Sequence, residues 1–215
     1  MKTDSPPARA YRQKARAKAA AETGERIVEA FIAEMQSGWF DEIRLEDVAR
    51  DAGVTVQTVI RRFGGKEGLL DACHARIAQE IEENRDKMPP GDVAGALDTI
   101  VAEYELRGEF VMRLLAQEER YPQIRALTDH GRAVHRRWTG DVFAPWLACL
   151  SGTKRREAHD RLVIALDLYI WKLLRVDMKR SKAALRRAML EMAAAALGVT
   201  PKTLLSPENP ENSDA

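Results

Sequence analysis

Apolar positions along this chain recur at three- and four-residue spacing, and no stretch sustains the alternation of a strand. Ile27, Ala30, Phe31 and Met35 fall on one helical face, and Gly38 ends that helix. Leu45, Val48, Ala49 and Ala52 predict a short second helix that closes at Gly53. Thr55 is placed to cap a third, with Val59 and Phe63 facing inward, and Gly64 and Gly65 break it. Lys66 opens a longer helix through Leu69, Leu70, Cys73, Ile77 and Ile81. Met88, Pro89, Pro90 and Gly91 interrupt the pattern. Beyond them the spacing predicts helices over residues 92–104, 109–119, 122–150, 153–176 and 181–197. Pro145 should kink or divide the third of these, and Gly198 stops the last. The fold class is therefore all-α, a three-helix unit and a connecting helix followed by a larger helical body.

Charge changes the picture only locally. Lys and Arg total 34 against 33 Asp and Glu, a formal net charge of +1, so the chain is not a general coat for a polyanion. No apolar run approaches the roughly 18 residues of a membrane span. The basic N-terminus has no apolar stretch behind it, so no secretory leader and a cytoplasmic location are expected. Cys73 and Cys149 form no CxxC pair and fit reduced thiols; they serve equally well as small buried apolar side chains.

Charge is placed at the third helix. Two short helices around a Gly53 turn make a helix-turn-helix. The outward side of the second carries Gln57, Thr58, Arg61 and Arg62, with Val56 and Ile60 along its edge. Such a helix fits the major groove: Gln57 can pair with an adenine edge, Thr58 can meet a thymine methyl or a phosphate, and an Arg can bridge the guanine acceptors. No Asp or Glu occurs in residues 52–66, as expected beside a polyanion. Lys66, at the first turn of the next helix, reads as a phosphate clamp. An ordinary helical hairpin can also combine a Gly turn with an Arg pair, and on pattern alone that alternative stays open.

The stretch LEDVARDAGVTVQTVIRRFGGKEGLLDA resembles the DNA-binding signature of the TetR/AcrR family of transcriptional regulators. Val48-Ala49, Ala52-Gly53-Val54, Thr58, Phe63, Lys66 and Leu69-Leu70 carry the likeness, in register. The resemblance implies a homodimer with an N-terminal DNA-binding domain and a C-terminal ligand-binding and dimerisation domain, and it alone suggests repression. Three positions depart from the family pattern: Ile60 stands where Tyr is common, Arg44 where Thr or Ser usually precedes the second helix, and Arg62 where Tyr or His is usual. Arg44 caps poorly but can reach phosphate, and Arg62 can restore attraction lost at Ile60. The expected DNA-contacting set is thus Arg44, Thr55, Val56, Gln57, Thr58, Ile60, Arg61, Arg62 and Lys66.

The expected organisation is a flexible basic arm over residues 1–22, a DNA-binding domain with its connecting helix over 23–87, a helical ligand-binding and dimerisation domain over 88–200, and a disordered tail over 201–215. Arg9, Arg12, Lys14, Arg16 and Lys18 give the arm its charge, with Asp4 the one acid before Glu22. It enters an adjacent minor groove, lies along phosphates, or is a solvated leader.

Most large side chains of the body are expected simply to form its core. Its aromatic residues also suit an apolar cavity with a few polar anchors, and Tyr104, Met112, Arg113, Trp138, Trp146 and Tyr169 are the candidate lining for an unidentified small-molecule effector. The broad apolar face with Leu162, Leu166 and Tyr169, and the stripe with Leu185, Met189 and Met192, fit either a four-helix dimer interface or burial within one chain. Effector binding is expected to shift the connecting helix and so the spacing of two recognition helices.

No catalytic constellation stands out, and no metal or other cofactor is expected. FGGKEGL lacks the spacing and the Ser or Thr of a phosphate-binding loop, and His130 and His135 are poorly spaced as ligands. The alternatives to a dimeric, effector-released repressor are an effector-independent regulator and a helical protein-binding adaptor. An adaptor has no reason to exclude acids between Arg61 and Lys66.

Overall fold

The computed structural model describes residues 6–85 and 87–206, with side chains from Tyr11 onward. It is all-α, with no strand among the described residues. No helix among them is long and apolar enough to cross a membrane. Two compact units divide at Ile77 and Ala78.

The first unit holds α1 (Pro6–Ser37), α2 (Leu45–Asp51), α3 (Val56–Phe63) and the start of α4 (Lys66–Arg85). Ile27, Phe31 and Met35 of α1, Val48 and Ala49 of α2, Val59 of α3, and Leu69, Leu70 and Cys73 of α4 are all buried, and α2 packs on both α1 and α3. Helix α1 begins at Pro6, inside the segment expected to be a flexible arm. That segment lacks large aliphatic residues, but Ala, Lys and Arg are strong helix formers, so intrinsic propensity extends the helix where no core asks for it. Its side chains over residues 11–22 are all exposed; that of Arg9, and Asp4 altogether, lie outside the described residues.

The second unit holds the rest of α4 and α5 (Val93–Leu115), α6 (Pro122–Val142), α7 (Ala144–Ala148), α8 (Gly152–Ala165), α9 (Leu168–Trp171), α10 (Lys182–Leu197) and α11 (Pro201–Leu205). Helix α10 packs on α8 and α5, and α6 lies against α5 and α8. Leu97, Ile100, Phe143, Leu162, Leu166, Leu185 and Met189 sit fully buried at the centre.

Four sequence expectations need correction here. The two helices expected over 92–104 and 109–119 are one helix, α5, because Gly108 is not a break. It is the notch that admits Trp171: a Cβ there would lie 2.5 Å from the indole ring. The helix expected over 122–150 is divided near Pro145, as that proline predicts, but the break falls earlier: α6 ends at Val142 and Pro145 sits in the first turn of α7. The helix expected over 153–176 stops at Ala165; Asp167 caps α9, which runs into a π-helical turn at Lys172–Asp177. The Tyr104 hydroxyl donates to the freed Leu166 carbonyl at 2.9 Å. Finally, the stretch expected to be a disordered tail begins with α11, capped by Thr200 and anchored by buried Leu204. Residues 207–215 of that expected tail lie outside the described residues.

Trp171 is fixed at both faces of this junction. Its indole N–H donates to Glu105 at 2.9 Å, and Arg175 reaches the same carboxylate at 2.7 and 2.8 Å. The Arg175 hydrogen bonds, against opposing desolvation, hold the Glu105 carboxyl down to about 2. The ring therefore cannot swing away from Gly108. Gly108→Ala is expected to lower stability by about 1–2 kcal/mol, an overpacking cost reduced by alanine's better helix propensity. Thermal or urea unfolding checks it, and a variant at least as stable as the parent would show that the notch is slack.

Candidate nucleic-acid interface

The turn between α2 and α3 is built by its own backbone. Gly53 takes φ +66°, and Val54 N–H returns to the Ala49 carbonyl at 2.9 Å. Arg26 of α1 donates to the Ala52 carbonyl at 3.3 Å, tying the turn to the first helix. Thr55 then starts α3: its hydroxyl accepts the Thr58 N–H at 3.2 Å. Gly64, with φ +78°, closes the helix in the left-handed region.

Between those caps the helix rolls one way only. Val59 is fully buried. At about 100° per residue, the side facing away from it carries Gln57, Ile60 and Arg61, and all three are exposed. Val56 and Thr58 are half-buried at the edges. The Thr55 and Thr58 hydroxyls lie 3.0 Å apart, so part of their bonding capacity serves the cap.

Arg62 is placed differently from the sequence expectation. It follows the outward residues in sequence, but its helical angle turns it back toward α1. Its guanidinium lies over Gly24, where a Cβ would meet Nη2 at 2.7 Å. Glycine at that point of α1 makes room for it. The sequence reading missed Gly24; an isolated glycine inside a helical run is the signal that marks such a close approach.

Lys66 also has local partners. Its ammonium donates to the Asp41 carbonyl at 3.2 Å and lies 4.8 Å from the Phe40 ring centroid. Partial burial pushes its pKa down, and the Asp41 charge opposes that. One of three N–H donors is thus committed to the loop before α2. Arg44 stands at the start of α2 without capping it, its side chain exposed and 3.8 Å from Glu46.

A helix-turn-helix whose second helix is capped at both ends and shows an acid-free polar face to solvent is a DNA-binding module. Residues 27–73 match the family model for bacterial regulatory proteins of the tetR family. Over that segment, which holds the helix-turn-helix, the chain is similar to the regulatory proteins of that family. Its fold is similar to that of a candidate transcriptional regulator from Pseudomonas aeruginosa PAO1, with a TM-score of 0.61 at 14% identity over 84% of this chain and 92% of that one. A candidate TetR-family transcriptional regulator from Mesorhizobium loti MAFF303099 is similar too, with a TM-score of 0.55 at 18% identity over 86% and 96% of the two chains. No curated protein sequence matches.

The second unit scatters the residues expected to line a cavity. Trp138 is buried, and Tyr104 is half-buried on the Leu166 carbonyl. Trp146 packs on Phe143, 6.0 Å between ring centroids, and Met112 and Arg113 are half-buried. Tyr169 is 55% exposed, so it faces solvent and not an interior. The sequence reading missed a polar cluster around Trp138. Arg85, at the end of α4, pairs with Glu103 at 2.7 Å, and its guanidinium lies 4.8 Å from the Trp138 ring centroid. Glu103 falls three residues after Ile100 on the apolar stripe of α5, and that misplaced charge was the available signal. His135 beside them donates from Nε2 to the Val163 carbonyl, 3.2 Å away, and burial followed by the nearby Arg85 charge pushes its pKa down.

The expected dimer face is also redrawn. Leu162, Leu166, Leu185 and Met189 are sealed inside the chain, so they contribute core and no contact surface. The small residues of α10, notably Ala193 and Ala194, allow close approach to elements of the same chain. Met192 is half-buried, and of the expected set Tyr169 alone is exposed, with Ile164, Leu173 and Met178 exposed along the same run of chain.

The double engagement of Lys66 yields a decisive substitution. Lys66→Ala is expected to lower the melting temperature by freeing the loop at Asp41, and to reduce the salt slope of DNA binding by about one as a phosphate contact disappears. A lower melting temperature with an unchanged slope would leave Lys66 as a loop staple only.

Proposed function

We propose that this chain is a dimeric repressor that reads a two-part operator with α3 and is released by a small-molecule effector. One observation carries the DNA contact: Gln57, Ile60 and Arg61 share the exposed side of a helix whose opposite side, at Val59, is fully buried. Inserted in the major groove, Gln57 addresses an adenine edge and Arg61 a guanine, while Ile60 offers an apolar surface to a thymine methyl. Val56 and Thr58 flank them, and Arg44, Thr55, Arg62 and Lys66 are placed around the helix ends, where phosphates pass. This work belongs in the cytoplasm, where the DNA is.

Exposed Ile164, Tyr169 and Leu173 support self-association through the α8 to π-turn segment. Two copies supply two recognition helices for half-sites about one helical turn apart, or a multiple of that.

The Trp138 cluster supports an effector site. Trp138 Nε1 and His135 Nδ1 are buried without a hydrogen-bond partner among the described residues, a state a bound polar group relieves. Arg85 stacks on that same Trp138, so a molecule seated there acts directly on the end of α4. Coupling to DNA requires only that the effector favour one arrangement of α4 over another.

Selection of bound fragments from random duplex DNA tests the reading at once: a symmetric, spaced motif is expected, and no enrichment would refute it. Gln57→Ala and Arg61→Ala are each expected to relax one base position and to cost about 1–3 kcal/mol on the selected site. Tyr169→Glu combined with Leu173→Glu is expected to give a monomer by sedimentation, with the melting temperature little changed because both side chains are exposed. A dimer that survives the pair would move the interface elsewhere.

A further inference from the structure

Helix α1 does not stop at the edge of its unit's core. Its N-terminal part carries Arg12, Lys14, Arg16 and Lys18, all exposed, and Glu22 is its one acid between Tyr11 and Thr23. At about 1.5 Å per residue this stretch reaches roughly 20 Å beyond Gly24. It departs from a defined place, since Gly24 lies under the Arg62 guanidinium at the end of α3.

The charges are ordered on the helix. The line of α1 that holds Gly24 continues toward the N-terminus through Ala20, Ala17 and Gln13. Arg12 and Arg16 run along one flank of that line, and Lys14 and Lys18 along the other. Glu22 lies on the opposite side, where it meets Lys18 at a long 3.9 Å. A low centre between two cationic rows lets a helix approach a rail of anions closely.

Width decides which part of the duplex it meets. An α-helix with side chains measures about 10–12 Å across, whereas the minor groove of B-DNA is about 6 Å wide. A helical extension cannot enter that groove as an extended arm does. We infer that the N-terminal extension of α1 is a rigid phosphate-tracking arm, laying Arg12, Lys14, Arg16 and Lys18 along the backbone beside the site read by α3 and adding affinity without base preference. The inference rests on the proposed DNA-binding role of α3 and extends the footprint past it.

The test replaces Arg12, Lys14, Arg16 and Lys18 together with Gln, a comparable helix former. Affinity is measured against salt on the duplex selected by the full chain and on a random-sequence duplex. The log–log slope is expected to fall by about three to four on both, near 0.9 for each phosphate no longer neutralised, with the preference between the two duplexes unchanged. Ala17→Pro, which keeps every charge but breaks the helix, is expected to lose much of the same slope. Circular dichroism and the melting temperature confirm that both variants remain folded. An unchanged slope in the Gln variant overturns the inference, as does wild-type behaviour of Ala17→Pro, which a flexible arm would show. Competition by netropsin against the wild type but not the Gln variant also overturns it, by placing the arm in the minor groove. Each of these leaves the reading by α3 standing. A wild-type chain that binds no duplex at all refutes both.

Discussion

Val59 has no exposed surface, and α3 is only eight residues long. A helix that short turns as a rigid body, so sealing one side chain sets the direction of every other. With Val59 sealed in the core, Gln57, Ile60 and Arg61 have no direction left but outward. Thr55 at one end and Gly64 at the other keep the helix from fraying, and the Arg26 bond to the Ala52 carbonyl holds the turn before it. The exposed face is thus a consequence of apolar packing behind it: burial of Val59 decides which side chains are presented.

The electrostatics of the same unit follow a complementary rule. Four of its acids are engaged: Asp47 and Asp51 pair with Arg50 at 2.6 and 3.1 Å, and Glu25 and Glu29 with Arg76 at 3.3 and 3.2 Å. Exposed pairs of this kind add little stability. Their larger effect is to neutralise charge locally within a unit that must approach a polyanion. The stretch from Ala52 to Lys66 needs no such neutralising, since it contains no acid. A chain with a net charge of only +1 can therefore show a positive surface where it matters.

The helix-turn-helix was largely legible in the sequence because its determinants are local. Thr55, Gly53 and Gly64 act within a few residues of themselves, and Val59 and Phe63 repeat at helical spacing. What escaped were contacts between distant segments. Nothing near Gly108 in sequence says that Trp171 will lie on it, and Gly24 marks a close approach without saying that Arg62 makes it. The dimer face was misjudged for a related reason. Periodicity shows that Leu162, Leu166, Leu185 and Met189 need burial but not which surface supplies it, and the chain supplies its own. The start of α1 erred the other way, because missing aliphatic residues were weighed above the strong helix propensity of Ala, Lys and Arg.

The pairing of Arg85 with Glu103 bears on why α4 ends where it does. A buried ion pair gains little net stability, since the desolvation of both charges offsets their attraction. Apolar residues would fill the same space at no disadvantage. Its distinctive property is geometric: a guanidinium held by both carboxylate oxygens, its carbon 4.8 Å from an indole ring centroid, tolerates few positions. The last residue of α4 is thereby fixed to α5 and α6 by contacts that fail together. A hydrophobic anchor would yield gradually as its neighbours moved. An ion pair in the interior has two well-separated outcomes, paired or displaced. His135 and Trp138 stand beside this pair, with Nδ1 and Nε1 buried and without a hydrogen-bond partner among the described residues.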